Sequence, residues 1–148
     1  MKLFLYYSLT GNGDFLAKKM EEKGYEIRKV TEKAKAPKAF FFRVLFGGFR
    51  AGLGLKGKLI DYDPDVSAYE EIVIGSPIWN GRFPPAINAV LSNKTDLSNK
   101  KLTFLFYSGS GDYPKAAKKA LKLYPEATII VLKEPKSHEG EAEKLASL

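Results

Sequence analysis

Short apolar runs alternate along the chain with stretches whose apolar positions recur at helical spacing. Residues 2–7, Lys2-Leu3-Phe4-Leu5-Tyr6-Tyr7, form a compact apolar run that predicts a strand. Ser8 to Asp14 follows as a polar, glycine-containing turn, and Phe15, Leu16, Ala17 and Met20 then recur at the spacing of an amphipathic helix. That helix is expected to stop at Lys23-Gly24, where a basic side chain suits the carboxyl end and glycine suits the cap. Tyr25 to Val30 alternates as a second strand.

The lysine-rich stretch 31–38 reads as a loop. Phe40 to Phe49 then places Phe42, Leu45, Phe46 and Phe49 on one helical stripe, widened by Phe41 and Val44 and interrupted by Gly47-Gly48. Gly52 to Gly57 is a second loop, and the acidic, proline-bearing stretch Asp61 to Asp65 breaks the chain again. Glu71 to Ser76 carries Ile72-Val73-Ile74, a β-branched run expected of a strand covered on both faces. Pro84 to Leu91 predicts a helix with proline in its first turn. Lys101 to Tyr107 repeats the strand, Ser108 to Asp112 the polar loop, and Ala116 to Tyr124 the helix. Ala127 to Leu132 is the last strand, and residues 137–148 add a short helix.

Five strands separated by helical segments predict an α/β fold with right-handed crossovers, a parallel sheet covered on both faces, and ligands bound beyond the carboxyl ends of the strands. The polar loops after the first, third and fourth strands belong at that end. A chain of 148 residues can bury one sizeable core, and no composition break calls for a boundary, so residues 1–148 read as a single domain.

Composition removes several chemistries. Cysteine is absent, which excludes disulfides, thiolate nucleophiles and cysteine-built metal sites, and the single histidine, His138, cannot form a cluster. No metal site is expected. No run of 18 apolar residues occurs, and Met1-Lys2 leads directly into the first strand, so neither a membrane span nor a leader is expected and a cytoplasmic setting follows. The net charge of +7 is uneven, with 13 Lys/Arg against 5 Asp/Glu in residues 1–60 and 11 against 12 in residues 61–148. Such an imbalance suits a docking face for an acidic redox protein, an anionic surface, or simply solvated lysines.

Three loops carry candidate chemistry. Ser8-Leu9-Thr10-Gly11-Asn12-Gly13 joins a strand end to a helix start, so its amides can turn inward around a phosphate monoester with help from the helix dipole, with no positive side chain required. The same residues also suit an ordinary helix cap through Thr10, Asn12 or Asp14. The loop lacks the third glycine of dinucleotide folds, which favours a mononucleotide. Gly75-Ser76-Pro77-Ile78-Trp79-Asn80-Gly81-Arg82 puts the only tryptophan at a strand end beside an Asn-Gly turn, where it can stack on a planar ring or simply pack. Ser108-Gly109-Ser110-Gly111-Asp112-Tyr113 offers small residues for close backbone approach and an aromatic side chain to cover a ring, or else is a flexible serine-glycine loop.

Taken together, these loops resemble the flavodoxin family across essentially the whole chain, most closely over residues 1–13 and 71–91. The resemblance implies a three-layer, doubly wound fold with a five-stranded parallel sheet of order 2-1-3-4-5, and flavin mononucleotide (FMN) as cofactor. Ser8, Thr10, Gly11 and Asn12 match the family's hydroxyl-x-Thr-Gly-Asn phosphate loop, with Leu9 inside it and Gly13 where the family usually has Thr. Ser76, Pro77, Ile78 and Trp79 are similar to the loop that packs against the isoalloxazine, which implies Trp79 as a stacking residue. Asn80-Gly81 then corresponds to the peptide whose carbonyl turns toward N5 of the reduced ring. Ser108 to Tyr113 is similar to the third flavin loop, although Tyr113 directly follows Asp112 instead of lying further along.

The function so implied is electron transfer by a carrier, which needs no acid, base or nucleophile from the protein. Flavodoxins are commonly acidic, so the basic charge of this chain is a departure that bears on the choice of redox partner protein, an acidic protein being one candidate. Related enzymes of this fold imply a second possibility, an NAD(P)H-dependent FMN reductase or quinone reductase, with Arg82 or Lys115 drawing in the nicotinamide phosphate. A third is a non-redox binding module using the basic surface, although the phenylalanines near position 40 have core spacing and nucleic acid is not an expected partner. Monomer and homodimer both fit. A receiver domain is excluded because Tyr7-Ser8 and Gly75-Ser76 stand where its acidic residues are required, and a low-molecular-weight phosphatase because its nucleophile is cysteine.

Overall fold

The computed structural model describes residues 1–33, 56–92, 95–109 and 113–148. The expected aromatic helix Phe40 to Phe49, most of the loops 31–38 and 52–57, and Ser110, Gly111 and Asp112 lie outside them.

Strand β1, Lys2–Tyr6, buries Leu3, Phe4, Leu5 and Tyr6 in succession because helices or turns cover both faces of the sheet. Helix α1, Asn12–Glu22, turns Leu16, Ala17 and Met20 inward. It ends where Gly24 adopts φ +82°, the Gly24 amide donating to the Glu21 carbonyl and the Tyr25 amide to that of Met20. Glycine meets the left-handed requirement of this double-capped end without penalty. Strand β2, Glu26–Lys29, follows. Strands β3, Thr31–Glu32, and β4, Leu59–Ile60, make a small antiparallel ribbon with Thr31 opposite Ile60, which no apolar periodicity announces. Then come β5, Glu71–Pro77, α2, Pro85–Ser92, β6, Lys101–Ser108, α3, Pro114–Leu123, and β7, Thr128–Lys133. In place of the expected C-terminal helix, Glu139–Ser147 winds as a 3-10 segment.

The main sheet is parallel, in the order β2-β1-β5-β6-β7, which among its five members is 2-1-3-4-5, as expected. Alternation divides the core into two clusters. Leu3, Leu5, Ile72, Ile74, Phe104 and Phe106 pack against α2 and α3, through Ala86, Ile87, Val90, Ala116 and Ala120. Phe4, Tyr6, Val73, Leu105 and Tyr107 pack on the other face against Leu16, Ala17 and Met20 of α1 and Leu145 of the 3-10 segment. The result is three layers. Each fully buried Phe, Leu or Ile contributes roughly 1.5–3 kcal/mol of transfer free energy.

The two outer strands are β2 and β7. Against β7, Glu141 Oε2 accepts from the Lys133 amide at 2.9 Å and from Lys144 Nζ at 2.6 Å, while Lys144 Nζ also reaches the Val131 carbonyl at 3.5 Å. At the amino end of the sheet, the Tyr25 hydroxyl donates to Glu71 Oε1 and Lys101 Nζ lies 3.0 Å from Glu71 Oε2. Burial opposes ionisation of Glu71, but the Tyr25 hydroxyl and the Lys101 ammonium hold its carboxyl below the usual range. No helix among the described residues is long and apolar enough to cross a membrane.

Candidate functional site

The chain leaves β1 toward β2 on one side and resumes at β5 on the other, so the sheet's direction of winding reverses between β1 and β5. In open α/β sheets such a reversal is where ligands bind, at the carboxyl ends and between the loops that follow these two strands.

In the first loop, Ser8 Oγ accepts from the amides of Gly11, at 3.2 Å, and Gly13, at 3.1 Å. Gly11 is the cap of α1 with φ +91°, a left-handed conformation that glycine adopts cheaply. The cap residue Gly11 has no side chain to offer, so in place of a cap by Thr10, Asn12 or Asp14 it is Ser8 Oγ that accepts from the Gly13 amide in the first turn. The first intrahelical bond runs from the Phe15 amide to the Gly11 carbonyl at 2.9 Å, and the amides of Asn12 and Asp14 have no acceptor within the helix. Together with the positive end of the helix dipole, they give this loop the donors that an anion would use. Thr10 is exposed, Leu9 is half-buried, and Asn12 Nδ2 reaches Thr10 Oγ1 at 3.4 Å.

The second loop meets the first directly. Trp79 packs edge-on against Tyr7, ring centroids 5.8 Å apart with 77° between planes. Trp79 and Arg82 exchange both backbone hydrogen bonds, at 2.9 and 3.0 Å, around Asn80 at φ +52° and Gly81 at φ +71°. Two successive positive φ values define a tight turn for which Asn-Gly is the favoured pair. The Gly81 carbonyl accepts from the Ala116 amide at 2.9 Å, which ties this turn to the start of α3. Ser76, Pro77 and Ile78 are buried beneath it, Ser76 Oγ donating to the Pro77 carbonyl at 2.8 Å.

No protein-family profile matches the chain, and no curated protein matches it in sequence. Solved structures do. A flavoprotein from Lactobacillus acidophilus NCFM, crystallised in complex with FMN, superposes with a TM-score of 0.68 over 95% of this chain and 97% of its own, at 18% identity. A candidate flavoprotein from Bacteroides eggerthii DSM 20697 gives 0.70 over 98% and 97%, at 19% identity. A candidate quinone reductase from Klebsiella pneumoniae gives 0.51 over 99% and 84%, at 13% identity. The fold is flavodoxin-like.

Within the flavodoxin-like fold the third loop follows β6. Ser108 is buried, Gly109 is exposed, and Tyr113 caps α3 while its ring packs 6.3 Å from that of Phe106, on the core side. Gly13 has a packing reason to replace threonine. A Cβ there would lie 2.6 Å from the Tyr107 hydroxyl, 2.7 Å from the Tyr6 ring and 2.8 Å from Ser8 Cβ. The Tyr107 hydroxyl donates to the Tyr7 carbonyl, so this tyrosine braces the floor of the first loop from within the core.

Beside the first loop lie two sets of long-range contacts that the sequence pattern does not reveal. Asp14 is bonded by Lys29 Nζ at 2.6 Å and by the Tyr6 hydroxyl at 2.8 Å. Burial opposes its ionisation, but these two partners and Lys136 hold its carboxyl below the usual range. Lys136, in the turn after β7, donates its amide to Asn12 Oδ1 at 3.0 Å. Its separation of 124 positions from Asn12 hides this contact from any local reading.

Proposed function

We propose that this chain binds FMN in the crevice between the loops after β1 and β5 and works as an electron carrier. The observation that carries the reading is the direct meeting of an anion cradle, residues 8–13, with an aromatic loop, residues 76–81, at the reversal point of the sheet. The phosphate would be held by the amides of the first loop with Ser8 fixing their direction. Trp79 would flank the ring, held by its turn, with Asn80-Gly81 at the ring edge and the loop 108–113 on the other side. FMN, when bound, supplies reversible uptake of electrons. The chain's own task is to bind it, exclude water with Ile78, Trp79 and Tyr7, and set the polarity around the ring.

An acidic redox partner fits the surface beside this site. Lys115, Lys118, Lys119 and Lys122 lie along α3 at i, i+3, i+4 and i+7, all exposed, with no carboxylate partner among the described residues. Lys119, exposed as a residue, tucks its ammonium partly inward to donate to Asn88 Oδ1 at 2.7 Å, and this partial burial together with nearby Lys56 pushes it below the usual lysine range. A stripe of like charges weakens its own helix, and an acidic surface offsets that cost.

The test is to titrate the purified chain with FMN, follow the visible spectrum, and repeat with Trp79→Ala. The expected loss is about 1–3 kcal/mol of affinity, the scale of one aromatic stacking contact. An unchanged Kd would remove Trp79 from the site, and no binding by the unaltered chain would sink the assignment. Anaerobic mixing with NADH or NADPH separates carrier from reductase, since rapid bleaching marks a reductase.

A further inference from the structure

The first loop already supplies amides and a helix terminus, but the turn after β7 adds a charge to it. A Cβ on Gly11 would lie 3.4 Å from Lys136 Nζ, so the ammonium sits directly over the left-handed cap of α1. The turn is held in place on both sides. Glu134 takes φ +39°, Pro135 is buried, the Ser137 and His138 amides both donate to the Glu134 carbonyl, and the Lys136 amide is bonded to Asn12 Oδ1. The backbone therefore delivers the lysine to the cradle, and only its side chain is left to move.

Building on the FMN reading, we propose that Lys136 is a phosphate ligand of this site and makes the chain selective for a phosphorylated flavin over the same ring without phosphate. The local charge balance supports this. The Asp14 carboxylate would repel a phosphate, but Lys29 lies 2.6 Å from it and already offsets it. Lys136, whose charge also reaches Asp14, then leaves the loop one cation in excess of its carboxylate, added to the roughly half positive charge of the helix end. A phosphate monoester near neutral pH carries between one and two negative charges, more than the half charge of the helix end, so an ammonium beside the amides adds to its binding.

The experiment compares FMN with riboflavin, by flavin fluorescence quenching, on the unaltered chain, Lys136→Gln and Lys136→Arg. Both changes leave the main-chain bond to Asn12 available, and far-UV circular dichroism checks that each variant is folded. For Lys136→Gln the expected result is a loss of about 5- to 30-fold in FMN affinity, the scale of one partly screened charged contact, with riboflavin affinity unchanged. Lys136→Arg should recover most of the loss, and added salt should weaken FMN binding less in the glutamine variant than in the unaltered chain. Equal FMN affinity in the glutamine variant and the unaltered chain would overturn the role of Lys136 while leaving the FMN reading intact. An equal loss for FMN and riboflavin would likewise overturn it, because the residue would then support the loop rather than the phosphate. No FMN binding by the unaltered chain would overturn both.

Discussion

Replacing Gly13 with alanine sets two effects of opposite sign against each other. Gly13 lies in the first turn of α1, where alanine would ordinarily gain up to about 1 kcal/mol of helix propensity. The new methyl would meet the Tyr107 hydroxyl at 2.6 Å, the Tyr6 ring at 2.7 Å and Ser8 Cβ at 2.8 Å. None of the three has room to retreat. Both tyrosine rings are buried between sheet and helix, and Ser8 Oγ holds two amides. Overpacking of this kind costs about 1–3 kcal/mol. Displacing Tyr107 also strains its bond to the Tyr7 carbonyl, worth about 1 kcal/mol. The clash therefore wins, and Gly13→Ala should lose about 1–3 kcal/mol in urea unfolding followed by circular dichroism. In melting temperature that is a fall of roughly 3–10 °C for a chain of this size. Gly140→Ala is the control, since a Cβ there meets nothing within 4 Å, and it should be neutral or slightly stabilising. Adding Tyr107→Phe to Gly13→Ala should cost less than the sum of the two single changes, because the hydroxyl that causes the closest contact is gone. A Gly13→Ala chain at least as stable as the original would refute the packing account.

At the other end of the sheet, Tyr25→Phe should cost about 1.5–3 kcal/mol, because it strips a charged acceptor of its buried donor. Glu71 titrates below its ordinary 4.5 when folded, so its contribution is complete above that value and is lost as the pH falls through the lower, folded-state one. Stability curves between pH 5 and pH 2 should be flatter for Glu71→Gln than for the original, and parallel curves would contradict the sign. Gly81→Ala places a side chain at φ +71° and should cost about 1–2 kcal/mol in stability. It should also weaken FMN binding, which equilibrium titration would detect.

The central strands were legible because burial on both faces demands unbroken apolar runs, and Leu3 to Tyr6, Ile72 to Ile74 and Phe104 to Tyr107 supply them. The Asn80-Gly81 turn was legible as a dipeptide, its positive φ values being the ones that asparagine and glycine tolerate best. Helix α3 starts at Pro114, before the expected Ala116, because proline suits the first helical position and the apolar spacing alone passes over it. The ribbon of β3 and β4 is two residues deep on each side, too short to show a period. The 3-10 segment has one fully buried anchor, Leu145, so its apolar pattern could not fix the helix type. Within the site, sequence marked the loops but not their contacts. The meeting of Tyr7 with Trp79, the brace from Tyr107 and the approach of Lys136 all join residues far apart in the chain, where no local pattern registers them.

The C-terminal segment has a consequence for how copies of the molecule treat each other. Strand β7 is the open side of a parallel sheet, and its Ile129, Ile130 and Val131 are the kind of residues onto which a foreign strand readily adds. Glu141 and Lys144 occupy that position with side chains, one holding the Lys133 amide and the other reaching the Val131 carbonyl, while bonded to each other. An ion pair thereby takes two of the hydrogen-bonding places that a sixth strand would need, both at the carboxyl end of β7. A strand adding there would first have to displace it, which makes this side of the sheet a poorer template for association.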